Sequence, residues 1–301
     1  MALARRSRPI SLLLVIAAVL SVHSLLPGPA AATGKTGQLT VFWGRNKDEG
    51  SLREACDAGV YTAVIMSFLN VYGHGKYRLD LSGHPLAGIG DDIRHCQSAG
   101  VTVSLSIGGF GGDYALPTNR SALDLADHLW WSYLGGRRRG VRRPFGRARL
   151  DGVDFFLERG GPGEHYDALA RELAKRKARG GKPPRLTATP RYAFPDRLAA
   201  PALSTGVFER IHVRFYDYPD CTAFIEDAWG RWTAAYPGSK IHLGLTASEK
   251  ASCYLHPKAL WEITMPIVQK AANYGGVMLW DRYYDVVNVQ DHYSSYIKNW
   301  A

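Results

Sequence analysis

The segment Asp151-Gly152-Val153-Asp154-Phe155-Phe156-Leu157-Glu158 places three acidic side chains within eight residues of otherwise apolar, β-forming sequence. Read as a strand over Gly152–Glu158, it puts Asp154, Phe156 and Glu158 on one face, because side chains alternate along a strand. Two carboxylates and an aromatic ring on an inward face do not make an ordinary core, since charged residues are seldom buried without partners. Two chemistries account for the pattern. One is a carbohydrate site with Glu158 as the proton donor. The other is an ion pair between the acid and an Arg of a neighbouring strand.

Other chemistries find little support. The ten His are scattered, with neither His-x-His nor His-x3-His spacing, so no metal site is expected. There is no G-x-S-x-G nucleophile turn. The Gly108–Gly112 run is glycine-rich but lacks the Lys-Ser/Thr of a phosphate loop. No cofactor is expected.

The elements that must hold these residues alternate. Strands are expected at Gln38–Gly44, Tyr61–Leu69, Val101–Phe110, Gly152–Glu158, Arg185–Tyr192, Arg210–Tyr216, Lys240–Ala247 and Gly276–Asp281. Between them, capping residues, Gly and Pro mark helices at Ser51–Gly59, Leu86–Gly100, Ser121–Leu134 (with Ser121 as N-cap), Glu164–Arg179, Arg197–Phe208, Ala223–Tyr236 and Pro257–Tyr274. Alternation of this kind implies parallel strands joined by right-handed crossovers. Eight such units fit a (β/α)8 barrel in a single domain over 33–301, with an open doubly wound sheet as the alternative. Active sites of barrels lie at the C-terminal ends of the strands, where Glu158 falls.

Residues 1–32 are set apart from the fold. Arg5, Arg6 and Arg8 precede an apolar run from Ile10 to Leu20, which Pro27 and Pro29 follow, and Ala30-Ala31-Ala32 supplies a small-residue cleavage pattern. That is the pattern of a secretory signal peptide, too short for a membrane span. Its removal takes away three Arg and no acid, so the remainder of a chain with net charge +10 stays basic. Apolar residues at 46% and charged residues at 21% exclude disordered and fibrous classes. The basic balance leaves nucleic acid, anionic surfaces and acidic proteins as partners, and export argues against nucleic acid. No later segment is apolar enough for a membrane partner.

Four Cys in an exported chain allow two disulfides in three pairings. Cys56 and Cys96 fall late in helices that follow successive strands, which favours Cys56–Cys96 with Cys221–Cys253. Asn119-Arg120-Ser121 is a glycosylation sequon. The run Gly135–Arg149 holds seven Arg in 15 residues, on the connection leading into the fourth strand and so away from the barrel mouth. It is a solvated loop or a site for an acidic polysaccharide or an acidic enzyme surface. Trp130 and Trp131 sit on a helix, where packing outweighs a sugar platform, and Trp280 at a strand end is the better sugar-facing aromatic.

The acidic segment resembles the Asp-x-x-Asp-x-Asp-x-Glu signature of glycoside hydrolase family 18, particularly the plant class III chitinases. Leu39 to Asn46 is similar to that family's first strand and Ser104 to Gly109 to its third. Val213 to Tyr216 and Val277 to Trp280 are similar to its sixth and eighth strands. The resemblance implies a substrate-assisted mechanism, an exception to two-carboxylate glycoside hydrolysis. In it a Glu protonates the leaving oxygen, an Asp two residues earlier orients the substrate's acetamido group, and a sixth-strand Tyr hydrogen-bonds that group. Glu158 matches the acid, Tyr216 the Tyr and Asp154 an earlier inner Asp. The decisive Asp position is Phe156, whose ring neither accepts a proton nor offsets positive charge.

Arg214 stands where the chitinases carry Gln, and it is expected to enter the mouth and pair with Glu158. A carboxylate held in that way is a poor general acid. Tyr192 replaces the chitinase partner of the Cys matched by Cys221, leaving Cys253 to take over that bridge. Within the family the nearest resemblance is to plant xylanase inhibitor proteins, inactive chitinase-like barrels that block microbial xylanases in plant defence. The implied partners are fungal or bacterial xylanases of family 11 and of family 10, met by a monomer in the apoplast or cell wall. The resemblance assigns the inhibitory roles to Arg179, beside Gly180-Gly181, and to Arg231. A residual chitinase and a chitin-binding lectin-like protein using Trp280, Tyr216 and Phe156 are the alternatives.

Overall fold

The computed structural model describes residues 34–161, 163–177, 181–219, 221, 225–287 and 292–301. The expected signal segment, residues 1–32, lies outside the described residues, as do Ala178, Arg179 and Gly180.

Eight parallel strands close on themselves. They are β1 (Leu39–Trp43), β2 (Ala63–Tyr72), β3 (Thr102–Gly108), β4 (Gly152–Phe156), β5 (Arg185–Ala188), β6 (Arg210–Arg214), β7 (Lys240–Thr246) and β8 (Tyr274–Trp280). Each pairs with its sequence neighbours, and β8 pairs with β1, so no barrel strand is left with a free edge. Strands buried on both faces read as continuous apolar runs, and all five residues of Leu-Thr-Val-Phe-Trp in β1 are buried. This is the (β/α)8 barrel expected from the alternation.

Helices cover the outside. They are α1 (Leu52–Asp57), α2 (Ile89–Ser98), α3 (Asn119–Ser132), α4 (Tyr166–Lys175), α5 (Ala200–Leu203) and α6 (Ile225–Ala235). In α4, Tyr166, Leu169, Ala170 and Leu173 are buried, the i, i+3, i+4, i+7 stripe of a helix laid on a barrel. Two disulfides staple the surface: Cys56–Cys96 ties α1 to α2, and Cys221–Cys253 joins the connections that follow β6 and β7.

Four helix expectations need correction. The helix expected over Arg197–Phe208 is a single turn, Ala200–Leu203. The N-cap of α3 is Thr118, whose side chain accepts from Ser121 N while Ser121 answers at N3, so the helix begins before Ser121. Helix α4 stops at Lys175 and does not reach Arg179. Arg176 is already extended, and its guanidinium bridges Glu172 and Asp127 of α3. The expected helix 257–274 is broken. Pro257–Ala259 runs into a π-helical stretch, Leu260–Thr264, then four α residues, Met265–Val268, with Pro266 at the joint. Proline lacks the donor and crowds the preceding turn, and the π stretch takes up the misfit. Tyr274 already belongs to β8.

Candidate functional site

Glu158 lies two residues beyond β4, at the C-terminal mouth of the barrel, with only 12% of its side chain exposed. Two Arg grip its carboxylate. Arg214, the last residue of β6, donates from Nη2 to Oε1, and its side chain is wholly buried. Arg191, beyond β5, donates from Nη2 to Oε2 at 2.5 Å. Tyr218 Oη adds a long contact of 3.4 Å to each oxygen. Of the two chemistries open at the start, the ion pair is the one formed. Every proton-donating use of Glu158 would first have to displace two cations.

Phe156 is fully buried beneath this clamp. The Arg214 guanidinium carbon sits 4.1 Å from its ring centroid, a cation–π contact. Around the ring stand Phe68 at 5.1 Å, Phe110 at 5.3 Å, Phe42 at 5.6 Å and Trp280 at 5.6 Å. The approach of these rings depends on two glycines at the end of β3, its last residue Gly108 and the next, Gly109. A Cβ on Gly109 would meet the Phe68 ring at 2.4 Å, and one on Gly108 the Phe156 carbonyl at 2.3 Å, and both have positive φ. Trp280 is half-buried against this cluster, and Phe110 is exposed at the rim. Tyr216 is buried with its ring stacked on Trp280, and its hydroxyl has no hydrogen-bond partner among the described residues.

Asp154 sits lower in the barrel and serves a different purpose. Its carboxylate accepts from Ser106 at 2.8 Å, Thr187 at 2.7 Å and Thr189 at 2.9 Å, and it is wholly buried. His212 Nδ1 lies 3.6 Å away. These partners tie β3, β4 and β5 together, so Asp154 is a satisfied buried acceptor rather than a member of the mouth.

Arg191 and Tyr218 were not singled out from the sequence. Arg191 occupied the end of a predicted strand, where a basic residue at a barrel mouth was the available signal. Its backbone pairs with Arg214 in an isolated bridge, which brings the two guanidinium groups to one carboxylate. Of the remaining candidates, Arg179 lies outside the described residues. Arg231 is exposed on α6 and pairs with Asp227 at 3.0 Å, and Asn119 is exposed at the first residue of α3.

Two titrating groups, one buried and one half-buried, predict opposed pH dependences. Burial, with the charge of Glu49 beside it, pushes Asp281 at the mouth up to about 7. An acid raised in the folded state binds protons the unfolded chain has lost, so its contribution falls as pH rises from about 4 to about 7. Burial pushes His128 of α3 down to about 4, where its ring lies 3.7 Å from Tyr77. That contribution rises with pH between about 4 and about 6.5. Denaturant midpoints from pH 4 to 8 should therefore show Asp281→Asn gaining stability relative to the wild type between about pH 4 and about 7, by on the order of 1.4 kcal/mol per pH unit, and levelling off above that. His128→Gln should steepen the fall of the wild-type curve. A pH-independent gain for Asp281→Asn contradicts the assignment.

An eight-stranded parallel barrel with an acid just beyond its fourth strand, here locked by two Arg, has the layout of a glycoside hydrolase barrel. The chain belongs to glycosyl hydrolases family 18, whose model matches residues 38–251. It is 57% identical to xylanase inhibitor protein 1 of Triticum aestivum over 305 residues, 99% of this chain and 98% of that protein. It is 40% identical to an acidic endochitinase of Arabidopsis thaliana over 267 residues, 84% of this chain and 87% of the relative. Among solved structures, the xylanase and alpha-amylase inhibitor protein XAIP-II of Scadoxus multiflorus superposes with a TM-score of 0.82 at 36% identity. That match covers 88% of this chain and 99% of the other.

Proposed function

We propose that this chain is a secreted inhibitor of microbial endo-1,4-β-xylanases, built on a chitinase barrel that no longer hydrolyses. The observation that carries the loss of chemistry is the double clamp of Glu158 by Arg214 and Arg191 over Phe156. The likeness to xylanase inhibitor proteins over nearly the whole chain supports the partner class. Export is supported by the leader pattern of residues 1–32 and by two disulfides, which persist in oxidising compartments. The protein acts as a monomer, carries a glycan at Asn119, and works in the apoplast or cell wall in plant defence.

The inhibitory contacts are assigned to Arg179 against family 11 enzymes and Arg231 against family 10. In the sequence Arg179 stands between α4 and β5, followed by Gly180-Gly181 and by Pro183-Pro184, whose rings limit the freedom of the exit into β5. Retaining xylanases hold two carboxylates about 5 Å apart, a spacing that a guanidinium forks across. Arg231 shares only an exposed i,i+4 pair with Asp227, worth about 0.3–0.5 kcal/mol and readily exchanged for a partner's carboxylate.

Inhibition constants against one enzyme of each family test the assignment. Arg179→Ala should weaken family 11 inhibition at least about tenfold, roughly 1.4 kcal/mol, and leave family 10 inhibition unchanged. Arg231→Ala should do the reverse. An unchanged family 11 constant for Arg179→Ala removes that loop from the mechanism. Exposed Phe110 and half-buried Trp280 favour a second reading, a chitin-binding lectin-like protein, which retention on chitin beads without xylanase capture would establish.

A further inference from the structure

At the end of the barrel opposite Glu158, the connection from α3 to β4 is folded around a single side chain. Arg143 donates from Nη1 to the carbonyls of Trp131 (2.6 Å) and Gly136 (2.9 Å). Its Nη2 donates to Leu134 and Ala148 (both 2.9 Å), and its Nε to Gly146 (3.1 Å). Five carbonyls thus organise the loop about one guanidinium. Around it Arg137, Arg138, Arg139, Arg147 and Arg149 are exposed and, with Arg143, line a cavity of about 370 Å³. No acidic residue lines that cavity, and none of the five exposed Arg forms an ion pair with a described residue. The neighbouring acid, Asp91 in the adjoining hollow beside Arg147, is already engaged by Arg94.

Five cations held around one hollow repel each other, and a bound anion relieves that repulsion. We propose that this cavity binds a linear polyuronate, a polysaccharide bearing a carboxylate on each sugar. Guanidinium groups match carboxylates in bidentate geometry, which Lys does not, and every exposed cation here is Arg. No aromatic side chain lines the cavity, so a single-stranded nucleic acid would find no platform on which to stack its bases. The cavity shares Arg149 with a second hollow of about 750 Å³ that passes Trp130 and Pro183 to Lys182 and Arg185. A chain longer than the first cavity has a path along the same face. Asp151 and Glu209 also line the second hollow, with Glu209 pairing Arg185, so the tight end is the Arg cavity. The site is separate from Glu158 and does not depend on xylanase inhibition.

Polygalacturonate oligomers, their fully methyl-esterified counterparts, neutral xylan and single-stranded DNA are the probes, titrated against the mature protein at several salt concentrations. Saturable binding of polygalacturonate is expected, weakened by salt and lost on esterification. The triple variant R137Q/R138Q/R139Q should bind at least about 30-fold more weakly, with a shallower salt dependence. Arg120→Gln, an exposed Arg of α3 outside the cavity, should bind as wild type. Family 11 inhibition by the triple variant should stay at the wild-type level, which separates this site from the inhibitory one. If the triple variant melts early, R147Q/R149Q removes the opposite wall and must show the same loss. Equal binding of the methyl ester, undiminished binding by both variants, or tighter binding of DNA than of polygalacturonate overturns the proposal.

Discussion

Phe156→Asp alone should leave the protein without measurable turnover of chitin oligomers. Phe156→Asp with Arg214→Gln should exceed the single variant by at least about 100-fold, the size of one electrostatic partner in a preorganised site. The reason is the position of Arg214, 4.1 Å from the ring that the new carboxylate would replace. In the single variant that guanidinium sits between Asp at 156 and Glu158 and pairs with both. The new acid is then spent on Arg214 and cannot orient an acetamido group, while Glu158 stays clamped between two guanidinium groups. Replacing Arg214 frees one oxygen of Glu158, but Arg191 keeps the other at 2.5 Å. A third change, Arg191→Gln, should therefore add a further gain. Reducing-end assays on chitin oligomers rank the three proteins. Full activity from Phe156→Asp alone would show that Arg214 does not block the chemistry.

The same clamp predicts a large asymmetry in stability. Glu158→Ala leaves Arg214 buried with no counter-charge and should destabilise the protein by about 3–5 kcal/mol. Its Nε and Nη1 already have no partner among the described residues, so little is in reserve. Replacing both members together, Glu158→Met with Arg214→Met, should return most of the loss, because a buried pair and an apolar pair of similar volume are nearly equivalent. Arg191→Ala should cost at most about 1 kcal/mol, since its side chain is 38% exposed and its pair with Glu158 is solvent-screened. Urea midpoints of the three variants and the wild type decide the matter. A neutral Glu158→Ala would mean that Arg214 finds other compensation.

The barrel was legible because its signal is repeated: eight apolar β-rich runs, with seven helical stretches between them, leave little room for another topology. Element ends were less so, since they rest on side-chain reach. Arg176 ends α4 by crossing to Asp127 of a different helix, and no local pattern around Gly180 announces that. At the mouth, Glu158, Phe156 and Arg214 could be placed together because β4 and β6 have readable phase and a family pattern to depart from. Arg191 escaped because it meets Glu158 only once β5 and β6 are in register, a condition set by packing and not by spacing. Tyr218 escaped for the same reason, being held at the carboxylate by a connection that follows β6. The Arg run of 135–149 was visible as charge, but its organisation around Arg143 was not, since that depends on which carbonyls the folded loop turns inward.

The buried Arg214–Glu158 pair also bears on the history of the lineage. From the present state, removing Glu158 strands the buried Arg214 charge, removing Arg214 alone leaves Glu158 held by Arg191, and a single Asp at 156 is neutralised by the cation beside it. Each first step back toward hydrolysis is thus unstable or silent, and the benefit appears only when changes coincide. Epistasis of that kind acts as a ratchet. The surface of the barrel could still diversify freely toward new partners.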